Sequence, residues 1–333
     1  MAKTRIAING FGRIGRLALR QILKRDDLEV VAINDLADNV ALAYLFKRDS
    51  VQGNYDGEVS ATDDAMLVDG TPIPMTELRD PRECAWGDKG VDLVLECTGV
   101  FTKRDAAAMH LDAGAKRVLI SAPAKGPDAT LVLGVNEQDY DPASHFVVSN
   151  ASCTTNCVSP VLKALDDQFT VTSGVLNTVH AYTMGQSLLD APNKKLRRGR
   201  AAGVNLVPTS TGAAVAVGLV LPQLAGKLDG FAIRTPHPTG SLADLTLTFD
   251  KTPSVDEAHA VLRAYAEKHP SILAVSDEEL VSSDIVGDTH SSVVDSLMTL
   301  RVGELLKLVV WYDNEAGYAT RLVDMAAHMT AGD

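Results

Sequence analysis

Two short segments hold residues whose types and spacing suit chemistry. Residues 149–157 read Ser-Asn-Ala-Ser-Cys-Thr-Thr-Asn-Cys, and residues 9–16 read Asn-Gly-Phe-Gly-Arg-Ile-Gly-Arg. Cys153 follows the apolar run Phe146–Val148 and precedes the helical pattern Val158–Leu165, so it falls at or just before a helix N-terminus. The dipole and free N–H groups there favour the thiolate, the nucleophilic form, and the position suits covalent catalysis. Ser152, Thr154 and Thr155 give it polar neighbours, whereas Cys84, Cys97 and Cys157 read as packing residues. Cys-x3-Cys also occurs in zinc sites, but no second closely spaced Cys or His pair follows, so no metal is expected. Thiol chemistry needs a base. Of the eight histidines, His110, His145, His237, His259, His269, His290 and His328 read as surface residues with polar neighbours. His180 ends the strand-like run Val175–Val179 and is the candidate base, with spacing alone leaving the choice open.

The second segment has Gly10, Gly12 and Gly15 in GxGxxG spacing. It follows the strand pattern Arg5–Asn9, opens a helix, and precedes a second strand ending in Asp35. That context points to a dinucleotide. Gly10 permits a tight turn, Gly12 lets backbone approach a pyrophosphate, Gly15 lets helix and strand pack closely, and Asp35 is placed for the ribose hydroxyls. The plainer alternative is a strand–turn–helix with Asp35 as a polar strand end.

Short apolar runs and helix-length segments alternate around these residues. Strands are expected at Arg5–Asn9, Glu29–Asn34, Val91–Cys97, Arg117–Ser121 and Phe146–Ser149, and helices at Ile14–Lys24, Asn39–Phe46 and Asp105–Leu111. This alternation predicts an α/β, Rossmann-type, mostly parallel sheet. From about Val171 the pattern changes to longer strands, Ser173–His180, Phe231–Ile233, Leu242–Thr248 and Leu305–Tyr312, with an amphipathic helix at Val255–Glu267. That predicts an α+β catalytic domain with a large mixed, partly antiparallel sheet. The expected division is residues 1–151 for the nucleotide domain and 152–315 for the catalytic domain, with a C-terminal helix, 316–333, packing back on the first.

The chain has 333 residues, 46% hydrophobic and 22% charged, ordinary values for about two globular domains. Its 31 basic and 43 acidic residues give a net charge of −12, which repels phosphate backbones and argues against nucleic acid as a main partner. The four cysteines are too few for a disulfide framework. Met1-Ala2-Lys3-Thr4-Arg5 does not read as a signal peptide. In the uncharged stretch Ala201–Gly226, only Gly212–Leu221 is consistently apolar or small, so a buried core helix is expected there rather than a membrane span. These readings place the protein in the cytoplasm, away from membranes. The segment between His180 and Pro208, with the basic run 194–200, reads as a functional or interface loop.

Taken in order, the two segments with Thr-Val-His-Ala-Tyr-Thr at 178–183 and Trp-Tyr-Asp-Asn-Glu at 311–315 resemble phosphorylating glyceraldehyde-3-phosphate dehydrogenases of the bacterial and eukaryotic type, over about residues 3–328. The resemblance implies a glycolytic and gluconeogenic, NAD-dependent oxidation of glyceraldehyde 3-phosphate to 1,3-bisphosphoglycerate. Cys153 would be the nucleophile, through a hemithioacetal and a thioester, and His180 the base. Thr183 and Arg234 match the site for the substrate phosphate. Ser152, Thr154, Thr211, Gly212 and Arg198 match the site for the attacking phosphate, with Arg197 one position from Arg198. Gly10, Gly12, Arg13, Ile14, Gly15, Asp35, Arg79, Ser121 and Asn314 match cofactor contacts. The loop 181–206 resembles one that reaches a neighbouring subunit's cofactor in a homotetramer. Departures are Arg234-Thr235-Pro236-His237-Pro238, where Arg-Val-Pro-Thr-Pro is common, Ala316 where Trp usually follows Asn-Glu, and Ala191 before Pro192 where NAD-specific members often carry a bulkier residue. Asp35, Leu36 and Pro192 favour NAD, and Ala191 leaves room for some NADP use. Competing expectations are an erythrose-4-phosphate dehydrogenase and, from another class, a nucleotide-binding regulatory or RNA-binding protein without catalysis.

Overall fold

A computed structural model describes residues 3–331; Met1 and Ala2 of the N-terminal reading, and Gly332 and Asp333 of the expected last helix, lie outside the described residues. The chain forms two compact units. One comprises Met1–Leu131, Glu137–Ala151 and Ala319–Asp333, the other Val132–Asn136 and Ser152–Tyr318.

The first unit opens with β1 (Thr4–Asn9), α1 (Arg13–Ile22), β2 (Leu28–Asn34) and α2 (Asn39–Lys47). Strands β3 (Val59–Ala61), β4 (Ala65–Val68) and β5 (Thr71–Thr76) follow. Then come β6 (Leu93–Glu96), α3 (Arg104–Ala107), α4 (Met109–Asp112), β7 (Arg117–Ile120), β8 (Ala129–Thr130) and β9 (Val147–Ser149). The sheet order is β3-β4-β5-β2-β1-β6-β7-β9-β8. From β5 to β8 the pairing is parallel, and β6 and β7 are buried at every position. Strands covered on both faces need unbroken apolar runs, which is why Leu93-Val94-Leu95 and Val118-Leu119-Ile120 show no alternation. Because β1 sits between β2 and β6, the strand order reverses there, and the crevice at the strands' carboxyl ends is where such sheets take ligands.

Three readings need correction in this unit. The antiparallel strands β3 to β5 were not expected; they are short, and Pro72 and Pro74 in β5 mask the pattern. The helix expected over Asp105–Leu111 is two short ones, α3 and α4. His110 is fully buried rather than at the surface, because Glu96 and Trp86 supply partners for both ring nitrogens.

The second unit contains α5 (Cys153–Phe169), β10 (Val171–Ala181), β11 (Val207–Ser210), α6 (Ala213–Val220), β12 (Leu228–Thr235) and β13 (Ser241–Phe249). It continues with α7 (Val255–Lys268), β14 (Leu273–Ser276), β15 (Ser292–Val302) and β16 (Leu305–Tyr312). Its sheet runs β11-β12-β10-β13-β16-β15-β14. β10 pairs in parallel with β12 and antiparallel with β13, so the sheet is mixed. β13 alternates buried and half-buried residues along its length, the mark of a sheet with one face in the core. Strands β11, β14 and β15 were not among the expected ones.

Helix α6 buries Ala213, Ala214 and Val217, but Val215 is 72% and Leu219 59% exposed, so the expected core helix has only one core face. A uniformly apolar sequence has no period from which to read the buried side. The last helix, α8 (Ala316–Thr330), has its residues from Ala319 onward in the first unit. Among the described residues no helix is long and apolar enough to cross a membrane.

Candidate active site

In the first unit a cleft of about 320 Å3 lies at the carboxyl ends of the parallel strands. Gly10, Gly12, Asp35 and Arg79 line it, together with Asn34, Leu36, Thr98 and Phe101. Gly10 has φ +92°, and a Cβ there would lie 2.6 Å from the Thr98 nitrogen. A Cβ on Gly15 would lie 2.2 Å from the Gly10 carbonyl oxygen, while Gly12 faces open space. The three glycines therefore differ in what they do: a turn, close helix packing, and room for a ligand beside the α1 N-terminus. Asp35 accepts hydrogen bonds from Phe11 N (2.7 Å) and Ala37 N (3.0 Å), so its carboxylate also holds the glycine turn. Ile14 and Gly15 lie in the first turn of α1. Arg13 directs its guanidinium to the buried Asp49 at 2.6 Å. Ser121 follows β7, its N–H bonded to the Glu96 carbonyl. Asn314 belongs to the second unit, where its Oδ1 accepts from Ser241 Oγ at 2.8 Å.

A dinucleotide fits this cleft: Gly12 leaves a cradle that a Cβ would fill, and Asp35 sits at the end of the second strand. Losing Asp35 would remove both a ribose acceptor and the anchor of Phe11 N. The parent should prefer NAD, because at ~5 Å and an effective dielectric of ~20 each like charge of a 2′-phosphate costs about 3 kcal/mol before screening. Asp35→Gly is expected to narrow the ratio of kcat/KM values for NAD over NADP, mainly by weakening NAD; parent-like selectivity would contradict this.

The second unit brings Cys153, His180 and Arg234 together. Ser152 caps α5, its Oγ accepting from Thr155 N at 3.1 Å, and this sets Cys153 as the first helical residue. His180 and Arg234 are register partners on β10 and β12. Cys153 Sγ lies 3.4 Å from His180 Nε2. His180 Nδ1 is 2.7 Å from the Ala181 carbonyl oxygen, to which Arg234 Nη1 also donates at 3.0 Å. Arg234 Nη1, which only donates, is also 2.9 Å from Nδ1, so Nδ1 faces a donor and an acceptor at once; the shorter contact, to a carbonyl that only accepts, favours the ring proton on Nδ1, with Nε2 turned to the sulfur. Burial, with Arg234 and Arg198 nearby, pushes His180 down to about 3, which keeps the imidazole neutral. Burial also pushes the Cys153 thiol up, against Arg234 and the Thr154 N–H, which pull it down. Both directions favour a thiol facing a neutral imidazole, burial opposing the helix terminus that was expected to favour the thiolate.

Not every expected phosphate contact faces one place. Thr183 Oγ1 and Arg198 Nη1 each lie 3.9 Å from where a Cβ on Gly185 would sit, and Arg198 Nε donates to Thr209 Oγ1 at 2.9 Å. Arg197 is exposed. Arg234 Nε is buried with no partner among the described residues, a donor that an anion would satisfy. The Thr154 hydroxyl turns inward to Tyr312 Oη (2.9 Å), and Thr211 Oγ1 accepts from Ala213 N (3.2 Å) beside Gly212, the N-cap of α6. Tyr312 was missed as a site residue: its hydroxyl also bonds Thr178 Oγ1 (2.8 Å), and its ring packs edge-on against His180. The available signal was that Thr178 and His180 share one face of a strand. Among the described residues no His, Cys, Asp and Glu cluster could hold a metal.

A dinucleotide cleft in one unit and a thiol–imidazole pair beside an arginine in the other are the features of an NAD-dependent dehydrogenase. Residues 4–104 match the profile of the glyceraldehyde 3-phosphate dehydrogenase NAD binding domain, and residues 152–314 that of the glyceraldehyde 3-phosphate dehydrogenase C-terminal domain. The chain is 53% identical over 329 residues to a glyceraldehyde-3-phosphate dehydrogenase of Geobacillus stearothermophilus, covering 98% of each chain. It is 52% identical to one of Mycobacterium avium, covering 97% of each, and 50% identical to one of Streptomyces coelicolor, covering 96% of this chain and 97% of that one. The chain belongs to the glyceraldehyde-3-phosphate dehydrogenase family.

Proposed function

We propose that this chain oxidises glyceraldehyde 3-phosphate with inorganic phosphate to 1,3-bisphosphoglycerate, a glycolytic and gluconeogenic step, with NAD as cofactor. The observation that carries the reading is Cys153 Sγ 3.4 Å from His180 Nε2, with the Arg234 guanidinium beside the imidazole. Sulfur attacks the aldehyde carbon as the thiol proton passes to His180 Nε2, which hands it on to the carbonyl oxygen to give a hemithioacetal. The glycine turn and Asp35 would hold NAD, which would supply the hydride acceptor when bound. His180 takes the hydroxyl proton as the C–H bond gives up its hydride and the carbonyl re-forms, leaving a thioester on Cys153. A phosphate oxygen then attacks that carbon, the C–S bond breaks, and the sulfur leaves and takes back the proton from His180 as the acyl phosphate forms.

Arg234 and Thr183 are assigned to the substrate phosphate, and Arg198, Ser152, Thr211, Gly212 and Thr154, the last through its backbone N–H since its hydroxyl is taken by Tyr312, to the attacking one. Guanidinium groups, hydroxyls and N–H groups at a helix start are the donors a phosphate takes. Phosphate-dependent NAD reduction with glyceraldehyde 3-phosphate tests the reaction. In the same assay Arg234→Leu should cost the phosphorylated aldehyde roughly 10–100-fold more in kcat/KM than unphosphorylated glyceraldehyde, the scale of one charge-assisted contact. Equal losses would make Arg234 structural. Residues 1–151 with the C-terminal helix are assigned to NAD, and residues 152–315 to catalysis. A cytoplasmic homotetramer completes the reading; the exposed Met184, Leu188, Leu189, Leu196 and Leu206 support a subunit interface at the loop 181–206.

A further inference from the structure

The carboxyl ends of β2, β1 and β6 carry a buried polar chain that no step above uses. Asn34, Asn9 and Glu96 are the last residues of those strands, and all are buried, as are His110 on α4 and Trp86. Trp86 Nε1 donates to His110 Nδ1 at 2.9 Å. An indole N–H only donates, so Nδ1 carries the lone pair and the ring proton sits on Nε2, which donates to Glu96 Oε2 at 3.0 Å. Asn9 Nδ2 donates to the same oxygen at 2.6 Å. The peptide N–H of Thr98 (2.9 Å) and its hydroxyl donate to Oε1. On the far side Asn34 Nδ2 donates to Asn9 Oδ1 at 2.8 Å, and Asn34 Oδ1 accepts from Leu78 N at 2.9 Å.

Glu96 therefore accepts from four donors, and no described lysine or arginine forms an ion pair with it. A buried carboxylate is costly unless its acceptor sites are filled, so its value lies in the geometry it enforces. Its partners are the turns that line the cleft: Asn9 leads into Gly10, Asn34 into Asp35, and Thr98 packs against Gly10. Glu96, His110 and Trp86 are not themselves lining residues.

We propose that Glu96, oriented by the Trp86–His110 pair, is a positioning residue that presets the turns after β1, β2 and β6 for NAD. This rests on the cleft being the NAD site. Glu96→Gln keeps shape and volume but must turn an amide N–H2 toward groups that are themselves donors. It is expected to raise the Kd and KM for NAD roughly 10–100-fold, the consequence of leaving buried donors unpaired. The kcat at saturating NAD, the KM for the aldehyde and the rate of Cys153 alkylation without cofactor should stay within about twofold, since packing damage would move all of them.

A folded Glu96→Gln enzyme with parent-like NAD affinity overturns the proposal, as do equal losses in NAD affinity and alkylation rate. If that variant fails to fold, Trp86→Phe decides: it removes the indole donor and part of a fully buried ring, and NAD affinity should fall about 3–10-fold, the loss of one buried hydrogen bond, while the rate of Cys153 alkylation without cofactor, which packing damage would move, stays within about twofold. Parent-like affinity there overturns the proposal. A parent enzyme that does not bind NAD overturns the cofactor reading as well.

Discussion

Cys153→Ala is expected to abolish aldehyde oxidation, by roughly 10⁴-fold or more, the loss seen when a covalent nucleophile is removed. The other cysteines cannot substitute. Cys157 is one helical turn on, fully buried, and held by burial well above the ordinary thiol range. Burial pushes Cys84 up to about 11 and Cys97 up to about 12. Burial raises Cys153 as well, and Cys97 is likewise partly accessible, but Cys153 has a base 3.4 Å from its sulfur. Iodoacetamide at neutral pH should therefore label Cys153 first in the parent, with activity lost in step. NAD titration of Cys153→Ala should give a parent-like Kd, because the cleft is built from other residues. Activity that survives full labelling of Cys153, or first labelling at Cys84 or Cys97, would remove it from the mechanism.

His180→Asn should lower kcat by roughly 10²–10⁴, the usual worth of a positioned acid–base group. Alkylation of Cys153 should slow as well, since the thiol loses its proton acceptor. The pH dependence follows from the direction of each shift. With its pKa lowered to about 3, His180 stays an unprotonated base from neutrality down to about pH 4, so the imidazole itself imposes no acid limb near pH 6. The Cys153 thiol is raised, so direct alkylation of the His180→Asn protein should keep rising with pH beyond 9. A parent acid limb near pH 6.5 that vanishes in His180→Asn would show that the imidazole titrates freely, against the desolvation argument. An unchanged kcat would exclude His180 as the base.

Local spacing carried much of this protein. The glycine spacing required a strand–turn–helix, and Gly10 and Gly15 sit where a Cβ has no room. The Cys153 motif required a helix start, and Ser152 caps it. The unbroken apolar runs at 93–95 and 118–120 required a parallel sheet covered on both faces, and the change of rhythm after Val171 announced a second, mixed sheet. Each of these depends on neighbours a few residues apart, where backbone geometry leaves few choices.

What lay beyond the sequence depends on pairing over long separations. Nothing local could place Arg234 beside His180, because β10 and β12 meet through a parallel register across more than 50 residues, in which the two are partners. The protonation of the reactive pair was likewise a tertiary outcome: a helix N-terminus favours a thiolate, but the burial that favours a thiol and a neutral imidazole exists only once the second unit has closed around them. His110 reads as a surface residue because its segment is polar. Its real partners, Trp86 and Glu96, come from other parts of the chain, and only packing brings the two ring nitrogens a donor on one side and an acceptor on the other.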